Sequence, residues 1–195
     1  MRTGTAQTLY YQRRHAEADA ELTALLEIVP KHGFAEFLLA LNALYSGRPQ
    51  AARAAFERAS ATLPDHPSPH LLIAAALALE GRQREARDHL SAVLARFDGQ
   101  YYCRYHLAIA CAYLRDRNGL YAALDQAAET RDILLVCLPV EPAFDAYHDD
   151  ARFRSFLDEH RLATLEECAA AAGPDAGSGT NRTTYVNNAT AKHTV

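Results

Sequence analysis

Small and apolar residues recur with helical spacing through the first two thirds of the chain, and the pattern itself repeats every 34 residues. Pro30 and Pro64 stand 34 apart, as do Gly47 and Gly81. Ala18, Ala52 and Ala86 form a third column in that register; Leu22, Phe56, Leu90 and Leu124 form a fourth, and Leu25, Ala59, Val93 and Ala127 a fifth. Each unit opens on one helical face, read at Leu39, Ala40 and Ala43, at Ile73, Ala74 and Leu77, and at Leu107, Ala108 and Cys111, the i, i+1, i+4 spacing of a buried helix stripe. Gly47 and Gly81 end that helix because glycine takes the left-handed conformation of a helix C-terminus, and Pro49 fits the first turn of the next, where its missing N–H costs nothing. The pattern predicts an all-α protein of antiparallel helix pairs. The Ala column lets helices approach closely, while Phe56 and Leu90 fill the space between units.

These residues resemble the tetratricopeptide repeat (TPR), a 34-residue pattern with a small residue at position 8, Ala at 20, a large apolar residue at 24, a small one at 27 and Pro at 32. The resemblance implies stacked helix pairs in a right-handed superhelix, with units at 1–32, 33–66, 67–100 and 101–134. The second and third units fit best. In the fourth, Arg115 stands where the others have glycine and Leu120 replaces the alanine, so a displaced turn and a last helix from about 121 to 138 are expected. The first unit is entered at position 3, which leaves an uncapped apolar end around Leu9, Tyr10, Leu22 and Leu25 for stacking on another copy.

Beyond the repeats, Arg131-Asp132, Glu141-Pro142-Ala143-Phe144-Asp145 and Asp150-Ala151-Arg152-Phe153 resemble the closing segment of bacterial TPR proteins, with Ala151 in place of a proline. Residues 135–172 are expected to cap the array, through a helix from Ala151 to about Ala172 that starts at Asp149 or Asp150 and covers the last unit with Phe153, Leu157 and Leu165. Residues 173–195 turn to Gly, Ser, Thr and Asn, a composition that predicts a disordered tail.

Charge and chemistry narrow the function. With 20 Lys+Arg against 24 Asp+Glu, the chain offers no basic field for nucleic acid. No apolar run reaches the ~18 residues of a membrane span, and none resembles a secretion signal, so a cytoplasmic protein is expected. Cys103, Cys111, Cys137 and Cys168 form no CxxC pair and read as reduced thiols; the sequons at Asn181 and Asn188 read as chance matches. His66 and His70 are separated by Pro67 and Pro69, which are expected to prevent the helix that would align them on a metal. Cys103, His106 and Cys111 share one helix and read as packing, and His148-Asp149-Asp150 as helix capping. No nucleophile, metal or nucleotide motif stands out. Neither a catalytic residue nor a cofactor is expected.

A surface is the better signal. The resemblance implies that positions 2, 5, 9, 12 and 13 of each unit line a concave groove. In units two to four these are Phe34, Phe37, Leu41, Leu44 and Tyr45, then Ser68, Leu71, Ala75, Ala78 and Leu79, then Tyr102, Tyr105, Ile109, Ala112 and Tyr113, with no charge among them. The Lys, Asn and Arg by which chaperone-adaptor TPR domains clamp a terminal carboxylate are missing, which excludes that mode. Phe34, Phe37, Leu41, Tyr45, Leu71, Tyr102, Tyr105 and Tyr113 are the candidate partner-binding residues, suited to an amphipathic helix or an extended apolar segment. They fit equally a second reading as core, buried by neighbouring helices or by the chain's own segment after 138. The expected function is a non-enzymatic protein–protein adaptor; a dedicated chaperone for a secreted or assembling client and a regulatory region of a larger enzyme are the alternatives.

Overall fold

A computed structural model describes residues 2–162. Eight helices run in antiparallel pairs: α1 (Arg2–Tyr11) with α2 (His15–Ile28), α3 (Gly33–Tyr45) with α4 (Pro49–Thr62), α5 (Pro67–Leu79) with α6 (Gln83–Arg96), and α7 (Arg104–Tyr113) with α8 (Arg117–Glu129). Two 3₁₀ segments, Ile133–Val140 and Pro142–Tyr147, precede α9 (Ala151–Glu159). No strand occurs among the described residues. The first helices of the pairs pack side by side, α1 on α3, α3 on α5 and α5 on α7. The second helices lie outside them and carry the charged face, including Arg53, Glu57, Arg84, Arg87 and Asp88. The architecture is a TPR-like helical repeat.

The alanine columns sit at the helix crossings: Ala18, Ala52 and Ala86 are fully buried, as are Ala40, Ala74 and Ala108. Phe56 and Leu124 in the large-residue column are equally buried. Asn42 is the most deeply buried polar residue among these apolar faces. It is fully buried yet saturated, its Nδ2 donating to the His15 carbonyl at 2.8 Å and to Asp19 at 2.7 Å while its Oδ1 lies 2.7 Å from His15 Nδ1. Arg48 completes the network on Asp19 at 2.7 Å, so α2, α3 and the start of α4 are tied by satisfied polar groups, the condition under which a buried amide is tolerated.

The turn between the paired helices is one device used four times. Arg13, Gly47, Gly81 and Arg115 stand 34 apart and all have positive φ, at 62°, 71°, 83° and 56°. The residue after each returns its N–H to the last helical turn: Arg14 to the Leu9 carbonyl, Arg48 to Ala43, Arg82 to Leu77 and Asp116 to Cys111, all at 2.9–3.0 Å. These bonds satisfy carbonyls that the helix end would leave orphaned. The fourth turn is therefore not displaced, contrary to the expectation from Arg115; arginine takes the glycine conformation, and the closing hydrogen bonds hold it there. α8 accordingly starts at Arg117 rather than near 121. Asp116 caps it by accepting from the Gly119 N–H at 3.0 Å, and a Cβ at Gly119 would press on Cys111 Sγ at 2.9 Å, which accounts for the late glycine. A left-handed L-residue costs about 1 kcal/mol, so Arg115→Gly is expected to raise stability by up to about that amount, measured by urea denaturation.

Three other expectations are corrected. Pro67 and Pro69 do not prevent a helix, since α5 begins at Pro67 and both occupy a first turn that needs no N–H donor from them; His66 caps it, its Nδ1 accepting from Ser68 N–H at 3.3 Å. The helix expected to reach 138 ends at Glu129, because Arg131 turns left-handed (φ 53°) and Asp132 N–H closes on the Ala127 carbonyl at 2.8 Å. α9 ends at Glu159 instead of near Ala172, closed the same way by Arg161 (φ 53°). Asp150 does cap α9, accepting from Arg152 N–H at 2.9 Å. Phe153 and Leu157 are buried on its inner side, and Arg152 reaches back over the Tyr121 ring of α8 at 4.2 Å. Leu165, Cys168 and the tail at 173–195 lie outside the described residues.

Leu9, Tyr10 and Leu22 are buried in the first hairpin and Leu25 is half-buried. Leu26 beside it is also half-buried, and Ile28 at the end of α2 is 70% exposed.

Candidate functional site

α1, α3, α5 and α7 form the inner face on which the resemblance places the groove. Their sequences bring four tyrosines from three different helices to one place: Tyr10 and Tyr11 at the end of α1, Tyr45 at the end of α3 and Tyr105 in the first turn of α7. The Tyr10 ring meets Tyr11 at 4.5 Å and Tyr45 at 5.5 Å between centroids.

The chain's own residues 133–147, hereafter the strap, lie on this face. Glu141, at the joint between the two 3₁₀ segments, is 2% exposed. Its Oε2 accepts from the Tyr105 hydroxyl at 3.1 Å and from Tyr11 at 3.4 Å. The buried Tyr45 hydroxyl also interacts with this carboxyl, although neither it nor Glu141 Oε1 has a partner in full hydrogen-bond geometry. Burial pushes the Glu141 carboxyl up to about 7; the tyrosine hydroxyls and the Arg13 guanidinium pull against it and do not prevail. Arg13 instead pairs with Asp145 at 2.7 Å and reaches the Val140 carbonyl at 3.5 Å. Phe144 is fully buried between Tyr105 (5.8 Å) and Phe153 (5.9 Å), and the Tyr147 hydroxyl donates to the Ala112 carbonyl at 3.2 Å. The strap thus touches the first helix of the array and the seventh.

The candidate residues divide accordingly. Leu71 and Tyr105 are 1% exposed, Leu41 4% and Phe37 6%. Tyr45, Tyr102 and Tyr113 are half-buried. Phe34 is 48% exposed and stacks on Phe37 at 6.4 Å. Phe37 in turn meets the His106 ring at 5.3 Å, and Arg104 lies over the Tyr102 ring at 3.9 Å. Phe34 and Tyr102, both beside the helix starts, therefore form the accessible end of the face. Tyr11, Arg13 and Glu141 were missing from the sequence-derived site. Only the position of Glu141 inside the closing motif marked it, because a lone carboxylate in a sequence reads as solvated.

His106 Nδ1 lies 2.8 Å from the Ser68 hydroxyl, and burial pushes its imidazole down to about 4. With Ser68 1% exposed, the pair serves as a neutral link between α5 and α7. Cys103 donates to Asp132 at 3.3 Å; Cys111 and Cys137 are buried thiols. Among the described residues no group of three His, Cys, Asp or Glu is placed to hold a metal ion, and no helix is long and apolar enough to cross a membrane.

Against known families, residues 43–110 match the tetratricopeptide repeat. Residues 43–110 carry tetratricopeptide repeats. The match runs from the end of α3 to the middle of α7, across the two units whose columns fit best. No curated protein and no solved structure gives a significant match. Tetratricopeptide repeats are non-catalytic units that generally mediate protein–protein interaction, and in this TPR array the inner face already holds one polypeptide segment, its own.

Proposed function

We propose that the chain is a non-enzymatic protein–protein adaptor that takes an apolar or amphipathic segment of a partner on the inner face of its repeats. The observation that carries this reading is the strap: the face receives a short, mostly apolar peptide through aromatic contacts and tyrosine hydroxyls, the chemistry that recurs where peptides dock in grooves. The exposed Phe34, the half-buried Tyr102 and the ring stack behind Phe34 supply the aromatic anchors that dominate such interfaces. Phe37, Leu41, Tyr45, Leu71, Tyr105 and Tyr113 support them from beneath and form the floor a partner meets once the strap moves.

Phe34→Glu, at an exposed position, and Tyr102→Glu, at a half-buried one beside the helix start, test the reading. Wild type and each variant, at equal concentration, serve as bait in extracts of the source cell, and captured proteins are identified and titrated. The expected result is a saturable partner whose affinity drops at least tenfold in both variants while circular dichroism is unchanged. Equal capture by all three baits overturns the proposal.

A further inference from the structure

Three tyrosine hydroxyls from α1, α3 and α7 converge on one point of the inner face, and that point is filled by a side chain from the strap rather than by the repeats themselves. The fit is incomplete. The Tyr45 hydroxyl interacts with the Glu141 carboxyl, but neither Tyr45 Oη nor Glu141 Oε1 has a partner in full hydrogen-bond geometry, a strain that well-packed interiors seldom retain. The strap is also built unlike the rest of the molecule. It consists of 3₁₀ turns containing Pro139 and Pro142, whose hydrogen bonding is poorer than that of the flanking α-helices, and its hold on the face runs through the buried side chains of Leu138, Glu141 and Phe144. A segment of that construction can open while the helices stay folded.

We propose that the inner face contains a pocket of hydrogen-bond donors formed by Tyr11, Tyr45 and Tyr105, that Glu141 of the strap is its resident occupant, and that the partner displaces the strap with a segment of the same pattern, a carboxyl or carboxamide side chain followed three residues on by a large aromatic ring. The pattern is read from Glu141, whose carboxyl takes the tyrosine hydroxyls, and Phe144, whose ring packs on Tyr105. The hydroxyls set the first requirement, because a pocket of buried donors rejects an occupant that leaves them unpaired. The slot between Tyr105 and Phe153 sets the second, since aromatic pairs at about 6 Å contribute beyond their buried area. Arg13, on the rim, selects an acidic residue next to the ring, as it selects Asp145. This inference rests on the adaptor reading and names the partner's chemistry.

The test uses the full chain and a fluorescein-labelled synthetic peptide of residues 133–147. Phe144→Leu in the full chain loosens the strap without emptying its slot, and the apparent affinity for a competing segment rises in proportion to the fraction of open molecules. The peptide is expected to bind Phe144→Leu about tenfold more tightly than wild type in fluorescence anisotropy. Peptide carrying Glu141→Gln is expected to bind at least tenfold more tightly than peptide carrying Glu141→Leu, and Tyr105→Phe in the host is expected to narrow that gap. Equal binding of the Gln and Leu peptides overturns the pocket; absence of binding to a folded Phe144→Leu chain overturns displacement. Hydrogen exchange on the wild-type chain decides the matter if Phe144→Leu does not fold. Strap amides exchanging at least a hundredfold faster than those of α3, α5 and α7 support displacement, and exchange at the same rate as those helices overturns it. Partner capture that remains sensitive to Phe34→Glu while the peptide arms fail leaves the adaptor reading standing and makes the strap permanent core; peptide binding without any such partner does the reverse.

Discussion

A chain carrying both Phe37→Glu and Tyr105→Glu is expected to be unfolded at 25 °C, with helical circular dichroism and the cooperative urea transition both lost. Phe37 packs between Phe34, Phe56 and His106, with its centroid 5.9 Å from Phe56. Tyr105 lies against Phe144 and donates to Glu141. A carboxylate at position 37 would lose the ring contacts and sit uncompensated in an apolar layer. At position 105 it would face the Glu141 carboxyl at the point where a hydroxyl donor is required. Each change costs several kcal/mol through desolvation alone, and together they meet or exceed the roughly 5–15 kcal/mol by which a domain is stable. Retention of a helical, cooperatively melting protein would show that the face opens easily enough to solvate both charges, and the burial assigned to it would then be wrong in solution.

That result also separates the two readings the sequence left open for these positions. Residues at one register position of the repeat face the same way in every unit, so the spacing placed Phe37, Leu41, Leu71 and Tyr105 on one surface. Spacing carries no information about what lies on top of that surface. The answer resides in a segment outside the period, whose 3₁₀ geometry leaves no 3.6-residue signature and whose buried member is a glutamate. The repeat itself was legible because alanine at a helix crossing and a left-handed residue at a turn are each dictated by local sterics. Arg115 shows where that legibility ends. The conformation of position 15 is fixed by the closing hydrogen bonds from the following residue, and an arginine can be held in it, so the turn persists after its sequence mark is gone. Arg13 goes further, since the same left-handed turn aims its guanidinium at Asp145 and makes one residue serve both the repeat and the strap.

The strap's docking is also expected to depend on pH, with a sign set by Glu141. Its carboxyl titrates near 7 in the folded chain against roughly 4.5 when exposed, so between those values the folded state holds a proton that the unfolded state has released. Stability therefore falls as pH rises through that window and levels off above 7. The groups facing the carboxyl do not reverse this. Tyr10 and Tyr11 of α1, Tyr45 of α3, Tyr105 and Tyr113 of α7 and Cys137 of the strap are all held in their neutral forms by burial first. Arg13 is the one cation among them, and it is engaged by Asp145. Glu141→Gln keeps an acceptor for Tyr105 and removes the titration. Relative to this variant, wild type is expected to lose about 2–3 kcal/mol between pH 5 and pH 8, measured by urea denaturation of both proteins across the range, with the difference between them isolating Glu141 from the surface carboxylates. Strap amides in the wild type are expected to exchange faster at pH 8 than the intrinsic rate increase accounts for, while those of α5 follow the intrinsic rate. A difference between wild type and Glu141→Gln that stays constant across the range would mean that water or the Arg13 guanidinium already compensates the ionised carboxyl, and the tyrosine pocket would then hold a carboxylate at neutral pH as readily as a carboxamide.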